Sequence, residues 1–285
     1  MTPSAKREAI AILVSEFGLS TSRACRIVRF SRAAHYRIPQ SALERDGEVI
    51  AALHEIVEKS PRAGFWKCFD RLRRKNRPWN HKRVRRVYRA LKLHLPRRSK
   101  RRVPTRLRQP LQAPAGLNQI WALDFMSDAL YGGRKFRTLN VIDEGNREAL
   151  AIEVSTSIPS VRVVRVLDEL VTLYGKPQAL RMDNGPELIA EVLADWCRDH
   201  AIDPRHIQPG KPDQNAFVER FNRSYREDVL DAYVFASIEE VQGVTEEWLE
   251  DYNAERPHDS LGGVPPRAFM PRFQTAGESG SQLSA

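Results

Sequence analysis

Apolar residues fall at helical spacing through the first ninety positions and at strand spacing after about residue 117. Near the start, Ala9, Leu13 and Phe17 recur every four residues, which predicts one face of a helix that Gly18 ends. Ser20 is placed to cap a helix over 21–28 with Ala24, Ile27 and Val28 inward. Ser31 is placed to cap a third helix through Tyr36, stopped by Pro39. Residues 44–58 carry Val49, Leu53, Ile56 and Val57 at helical spacing, and Pro61 and Gly64 break the run. Phe65–Arg74 predicts a further helix with Phe65, Phe69 and Leu72 on one face. Asn80 caps another, His81–Leu91, with Val84, Val87, Tyr88 and Leu91 as its buried stripe.

Beyond residue 117 the period changes. Gln119–Met126, Lys135–Asp143 and Ala149–Val154 read as strands, and Gly132-Gly133 offers two-residue turn chemistry between the first pair. Helices over Ser160–Tyr174, Glu187–His200, Ala216–Leu230 and Ile238–Asn253 alternate with short strands at Ala179–Met182 and Ile202–Ile207. Three antiparallel strands followed by alternating elements predict a mixed α/β sheet with helices on its faces. Cys197, Trp196, Trp248 and Tyr252 sit in apolar contexts and read as core; Cys197-x-x-His200 has no second pair of zinc ligands.

Charge divides the chain at the same place. Residues 1–109 hold 29 Lys/Arg against 8 Asp/Glu, and residues 110–285 hold 17 against 28. A basic front half is the electrostatic footprint of a polyanion binder. Two groups of three turn-linked helices, 1–40 and 41–95, fit helix-turn-helix regions, with Arg83 and Arg86 on the second as candidate DNA contacts. The Arg/Lys/Pro-rich stretch 96–114 reads as a basic linker, 115–273 as the α/β domain, and 274–285 as a disordered tail. No stretch approaches the roughly 20 apolar residues of a membrane span. Three widely spaced cysteines argue against a disulfide framework, so a cytoplasmic location is expected.

The acidic half contains three carboxylates in unusual places. Asp124 is centred in an apolar strand, where burial disfavours it. Asp183 follows a short strand, in Asp183-Asn-Gly-Pro-Glu, and Glu219 lies early in a helix. Each has an ordinary reading as a core acid, a turn former or a helix-start residue. If they meet at ~5 Å, each pair repels by roughly 3 kcal/mol at an effective dielectric near 20, which a divalent cation relieves. Oxygen-only ligands favour Mg²⁺ or Mn²⁺, and two such ions suit in-line phosphoryl transfer.

At this point the chain resembles the second-frame (OrfB) transposases of bacterial insertion sequences, which share the retroviral integrase core. The resemblance rests on 35 residues between Asp183 and Glu219, as in a DD(35)E triad, and on Trp121-x-x-Asp124. Arg226 stands seven residues past Glu219, and Asp183-Asn-Gly-Pro-Glu, the run Gln208–Asn215 and Tyr252-Asn-x-x-Arg-Pro-His also match. Ser60-Pro-Arg-x-Gly through Asn80-His-Lys-Arg-Val resembles the family's helix-turn-helix segment. The similarity runs over roughly residues 10–270.

The resemblance implies an RNase H-like core and the cutting and joining of element ends. It assigns Asp124, Asp183 and Glu219 as metal ligands for Mg²⁺ or Mn²⁺, with two ions expected. Arg223, Arg226, Lys211, Gln214 and Asn215 become candidate DNA contacts, and Arg226 is expected on a phosphate near the metals. Asn184 and Gly185 are expected to shape the turn that presents Asp183. DNA ends, target DNA, an upstream-frame (OrfA) protein or fusion, and a second copy of the chain are the implied partners. Two departures stand out. Arg181-Met182 precedes Asp183 where the family has a small polar residue, and Glu144-Gly-Asn follows Asp143 where it has an aromatic and a Thr. The second departure predicts a looser strand end. A metal-dependent nuclease, or a non-catalytic DNA-binding regulator made from the same element, remains an alternative to the transposase.

Overall fold

The computed structural model describes residues 1–37, 45–95, 113–208 and 215–272. The chain forms two compact units, Met1–Ala51 and Ala52–Ala285. The linker from 96 to 112 and the tail from 273 lie outside the described residues.

The first unit holds α1 (Pro3–Ser15), α2 (Thr21–Ile27) and α3 (Arg32–Tyr36). Thr2, Ser20 and Ser31 cap them, each hydroxyl accepting a backbone N–H three residues on, at 3.3, 3.4 and 3.1 Å. Ile10, Ala24 and Cys25 are buried, with Leu13, Val28 and Phe30 packed around them. Two positions expected inward face solvent: Phe17 is 67% exposed and Ile27 56%. Phe17 lies past the helix end, because Gly18 at φ +60° reverses the chain and Leu19 N–H bonds back to the Leu13 carbonyl. In α2 the inward face is Ala24-Cys25 rather than Ala24-Ile27.

The division between units falls in α4 (Gly47–Lys59). It is followed by α5 (Phe65–Arg74) and α6 (His81–Ala90), the latter capped by Asn80 Oδ1 accepting Lys82 N–H at 2.9 Å. Cys68, Leu72, Val84, Val87 and Tyr88 are buried between these helices. The basic residues of α5 also bind the α/β domain. Arg71 makes a bidentate pair with Asp251 at 2.9 and 2.6 Å, and Arg74 donates to the Ala254 carbonyl at 2.9 Å.

A five-stranded sheet forms the rest: β1 (Ile120–Ala129), β2 (Lys135–Asp143), β3 (Ala149–Ser155), β4 (Ala179–Met182) and β5 (Asp203–His206), in the order β3-β2-β1-β4-β5. β1, β2 and β3 pair antiparallel, while β4 pairs parallel to β1 and β5 parallel to β4. The β1–β2 hairpin turns through three residues, Tyr131-Gly132-Gly133, rather than two. Gly133 takes φ +80°, its N–H bonds to the Leu130 carbonyl, and Leu130 N–H bonds to the Arg134 carbonyl.

Alternation along β1 decides which side each residue serves. Trp121 and Leu123 face a core shared with α7 (Ser160–Tyr174) and α8 (Glu191–Asp199). Ala122 and Met126 face α9 (Ala216–Tyr225) and α10 (Ile238–Ala254). Asp124 has the parity of Ala122 and Met126, so its carboxylate lies on the α9 side.

Two helices depart most from their predicted spans. α8 starts at Glu191, not Glu187, because Leu188 and Ile189 N–H groups close a turn on the Gly185 carbonyl. The helix predicted through Leu230 is α-helical only to Tyr225, then widens into a π-turn over Arg226–Leu230, with Asp231 N–H reaching the Arg226 carbonyl at 2.8 Å. A short helix, α11 (Pro266–Phe269), follows α10.

The strand end after Asp143 is not loose. Residues 143–148 are all buried. Glu144, fully buried, accepts from Arg181 at 2.9 Å, so the two departures from the family pattern are partners of each other. Arg272 binds both Asp143 and Glu148, the latter at 2.6 Å.

Candidate active site

Asp124 occupies the middle of β1, opposite Asn140 of β2. Its Oδ1 accepts the Phe125 N–H at 2.9 Å, and its Oδ2 accepts Asn222 Nδ2 at 2.7 Å. Asn222 Oδ1 in turn accepts Asn140 Nδ2 at 2.6 Å. Asn140 is fully buried and Asn222 8% exposed, so this chain of three side chains runs through the seam between sheet and helix. Neither asparagine was singled out from the sequence. The available signal was Asn222 three residues past Glu219, hence one turn along the same helix face.

Asp183 leaves the end of β4. Its Oδ1 accepts the Gly185 N–H at 2.9 Å, and Asn184 Nδ2 donates to the Ile207 carbonyl at 3.0 Å. These bonds hold the turn that carries the carboxylate. The last residue of the same run, Glu187, pairs with Arg137 of β2, whose guanidinium lies 4.3 Å from the Phe125 ring centroid. The Arg137 hydrogen bond holds the Glu187 carboxyl below its usual range. The loop after β4 is thus tied across the β1–β2 pair.

Glu219 lies on the exposed side of α9, while Val218, Phe221 and Tyr225 turn into the core. Burial pushes the Asp124 carboxyl up to about 6; Asp183 and Glu219 add to the rise, against the Phe125 and Asn222 hydrogen bonds that lower it. The donor set of Asp124, Asp183 and Glu219 is all carboxylate oxygen, which suits a hard divalent cation. Among the described residues no group of three His, Cys, Asp or Glu side chains is close enough to hold a metal ion, so loading would require these side chains to close in.

The other candidates are dispersed. Arg226 begins the π-turn, donating to Asp128 Oδ2 at 3.1 Å and the Ser127 carbonyl at 2.9 Å. Its guanidinium sits at the far end of β1, four residues from Asp124. Arg223 is exposed on α9. Asn215, just before α9, is 3% exposed and its Oδ1 has no hydrogen-bond partner among the described residues. Lys211 and Gln214 lie outside the described residues. Arg83 is half-buried and Arg86 exposed on α6.

An HTH-like domain matches residues 44–101, and integrase core domain models match 114–212 and 200–266. A protein of insertion element IS476 of Xanthomonas euvesicatoria is 36% identical over 277 residues, covering 96% of this chain and 79% of the relative. A protein of insertion element IS407 of Burkholderia multivorans is 34% identical over 263 residues, covering 92% and 94%. The transposase InsD of insertion element IS2 of Escherichia coli is 24% identical over 242 residues, covering 79% of each chain.

Proposed function

The chain belongs to the insertion-element family that joins an HTH-like domain to an integrase core, a family of transposases and polynucleotidyl transferases, and on that premise we propose that Asp124, Asp183 and Glu219 are its catalytic triad. The observation that carries this reading is the placement of Asp124: it stands buried in mid-β1 on the side covered by the helix of Glu219, and Asp183 and Glu219 both add to the rise that burial gives its carboxyl. Bringing these like charges together around a metal site would be unfavourable unless a cation or a proton relieved them.

A bound Mg²⁺ or Mn²⁺ pair would activate a hydroxyl nucleophile and stabilise the leaving oxygen of a phosphodiester. The chain's own residues supply the frame. Asn222 and the Phe125 N–H orient Asp124 from two sides. Gly185 and Asn184 hold the turn beneath Asp183. Arg223 faces solvent on the helix that carries Glu219, where a DNA backbone can reach it, whereas Arg226 must leave Asp128 to do so.

In this reading the substrates are the element's terminal repeats and a target duplex. The working assembly contains at least two copies of the chain together with an upstream-frame OrfA product, and it acts at the bacterial nucleoid. Among the described residues no helix is long and apolar enough to cross a membrane. The decisive assay is strand transfer on labelled DNA carrying the flanking inverted repeats, with Mg²⁺ or Mn²⁺ and with the upstream-frame protein. Metal-dependent joining by the wild type that disappears in Glu219→Gln is expected. Binding without cleavage under all these conditions would replace this reading with a DNA-binding regulator.

A further inference from the structure

The flank of α9 that turns away from Glu219 lines a second site. Arg220 and Ser224 project there, whereas Glu219 and Asn222 point to the carboxylate side, close to half a helical turn around. Together with Lys67 of α5, Arg147 of the β2–β3 turn, and Arg256 and His258 beyond α10, they enclose a cavity of about 120 Å³. A space of this size admits one phosphate group.

The lining is strongly basic. Four of its side chains are cations and one, Asp259, is a carboxylate. Arg256 is paired with Asp228. Arg147 is the most telling member. It is 9% exposed, sits at φ +66°, and stacks its guanidinium 3.5 Å from the Phe217 ring centroid. Among the described residues, its Nε and Nη1 are buried without a hydrogen-bond partner, and so is His258 Nε2. Buried guanidinium donors left unpaired are costly, and a non-glycine residue at positive φ adds strain. A polar ligand with several acceptor oxygens would satisfy the donors and offset the excess charge at once.

We propose that this cavity binds a single phosphate of the DNA backbone, held by Lys67, Arg147, Arg220 and Arg256. The anionic character of the ligand follows from the cavity alone; its assignment to DNA rests on the transposase reading. The location favours that source. One wall comes from α5, within the segment matched by the HTH-like model, and another from α9, which carries Glu219. A phosphate seated here would fix the duplex between end recognition and the carboxylates. It also gives the Tyr252-Asn-x-x-Arg-Pro-His run a purpose: Asn253 sews α10 to Ala149 at 2.9 and 2.8 Å, while Arg256 and His258 close the cavity.

The test uses the full chain and the double variant Lys67→Met/Arg220→Gln, which leaves buried Arg147 in place so that folding is retained. In one arm inorganic phosphate replaces chloride at constant ionic strength, and the thermal midpoint is followed. The wild-type midpoint should rise with phosphate and the variant's should not. In the other arm a labelled duplex is titrated at several salt concentrations. Loss of one phosphate contact should lower the slope of log K against log salt by about 0.9 and weaken binding severalfold. Equal responses of both proteins in both arms would overturn the site. A lost phosphate response with an unchanged DNA slope would identify a pocket for a free anion and overturn the DNA assignment. Neither arm requires catalysis, so a wild type that passes both but joins no ends with metal and the upstream-frame protein present would refute the catalytic reading and leave the site standing.

Discussion

Asn222→Ala is the sharpest probe of how this fold supports its carboxylates. The substitution removes the bond to Asp124 at 2.7 Å and the bond from Asn140 at 2.6 Å. A hydrogen bond to a charged group contributes roughly 1.5–3 kcal/mol and a neutral one roughly 0.5–1.5. Asn140 is fully buried and its Oδ1 already lacks a partner, so losing Asn222 leaves its whole amide unsatisfied. The sum is a loss of about 3 kcal/mol, read as a shift of the urea midpoint at unchanged slope. Because Asn140 acts only through Asn222, Asn140→Ala and the double variant should complete a cycle with a coupling of at least about 1 kcal/mol. Under the proposed triad, in which Asp124 would hold a metal, strand transfer should fall by about 10–100-fold, the usual cost of removing a partner that orients such a ligand. A loss below about 1 kcal/mol, or full additivity with Asn140→Ala, would refute the network as a support for Asp124.

Three further perturbations test other joints. Glu144→Ala should cost about 3 kcal/mol, because it strips the buried carboxylate from Arg181, and pairing it with Arg181→Met should recover most of that; denaturant melts decide, and a single-variant loss under about 1 kcal/mol would speak against the pair. Arg71→Ala should cost about 2 kcal/mol and raise amide exchange in α5, since Arg71 is 6% exposed and bonds Asp251 with both nitrogens; unchanged exchange would show that α5 is held by apolar contacts alone. His258 is held neutral by burial, which depresses it to about 3, with Lys67 on α5, Arg220 on α9, Arg147 on the β2–β3 turn, and Arg256 and Asp259 on its own segment around it. A depressed folded pKa means stability present above about 6.5 and lost as pH falls toward 3, or about 2 kcal/mol by pH 5; His258→Gln should flatten that slope, and identical profiles from pH 7 to 5 would contradict it.

The sequence announced the sheet and most of its helices because apolar periodicity is a local signal. Ser160–Tyr174 and Phe65–Arg74 match their predicted spans to the residue, and Ser20, Ser31 and Asn80 cap where the hydroxyl and amide positions indicated. Several of the misses depend on a bond to a distant segment. Glu187 looked like the first turn of a helix, yet Arg137 of β2 claims it and the helix begins four residues later. Arg226 continued a regular helical face, but the ladder widens there and its side chain reaches Asp128. Asn140 and Asn222 were indistinguishable from surface residues until the β1–β2 register set Asn140 opposite Asp124 and α9 came to lie over that face. Arg147 is the extreme case. Polar residues at a strand end ordinarily signal a solvated turn, and nothing nearby in the chain marks this arginine for burial. It is buried because Phe217, seventy residues on, offers a ring to stack against, while Lys67, Arg220 and Arg256 come from three other elements to share its cavity. Local pattern therefore exposes the carboxylates, which are anomalous where they stand, and hides the cations, which become anomalous only once the chain has folded around them.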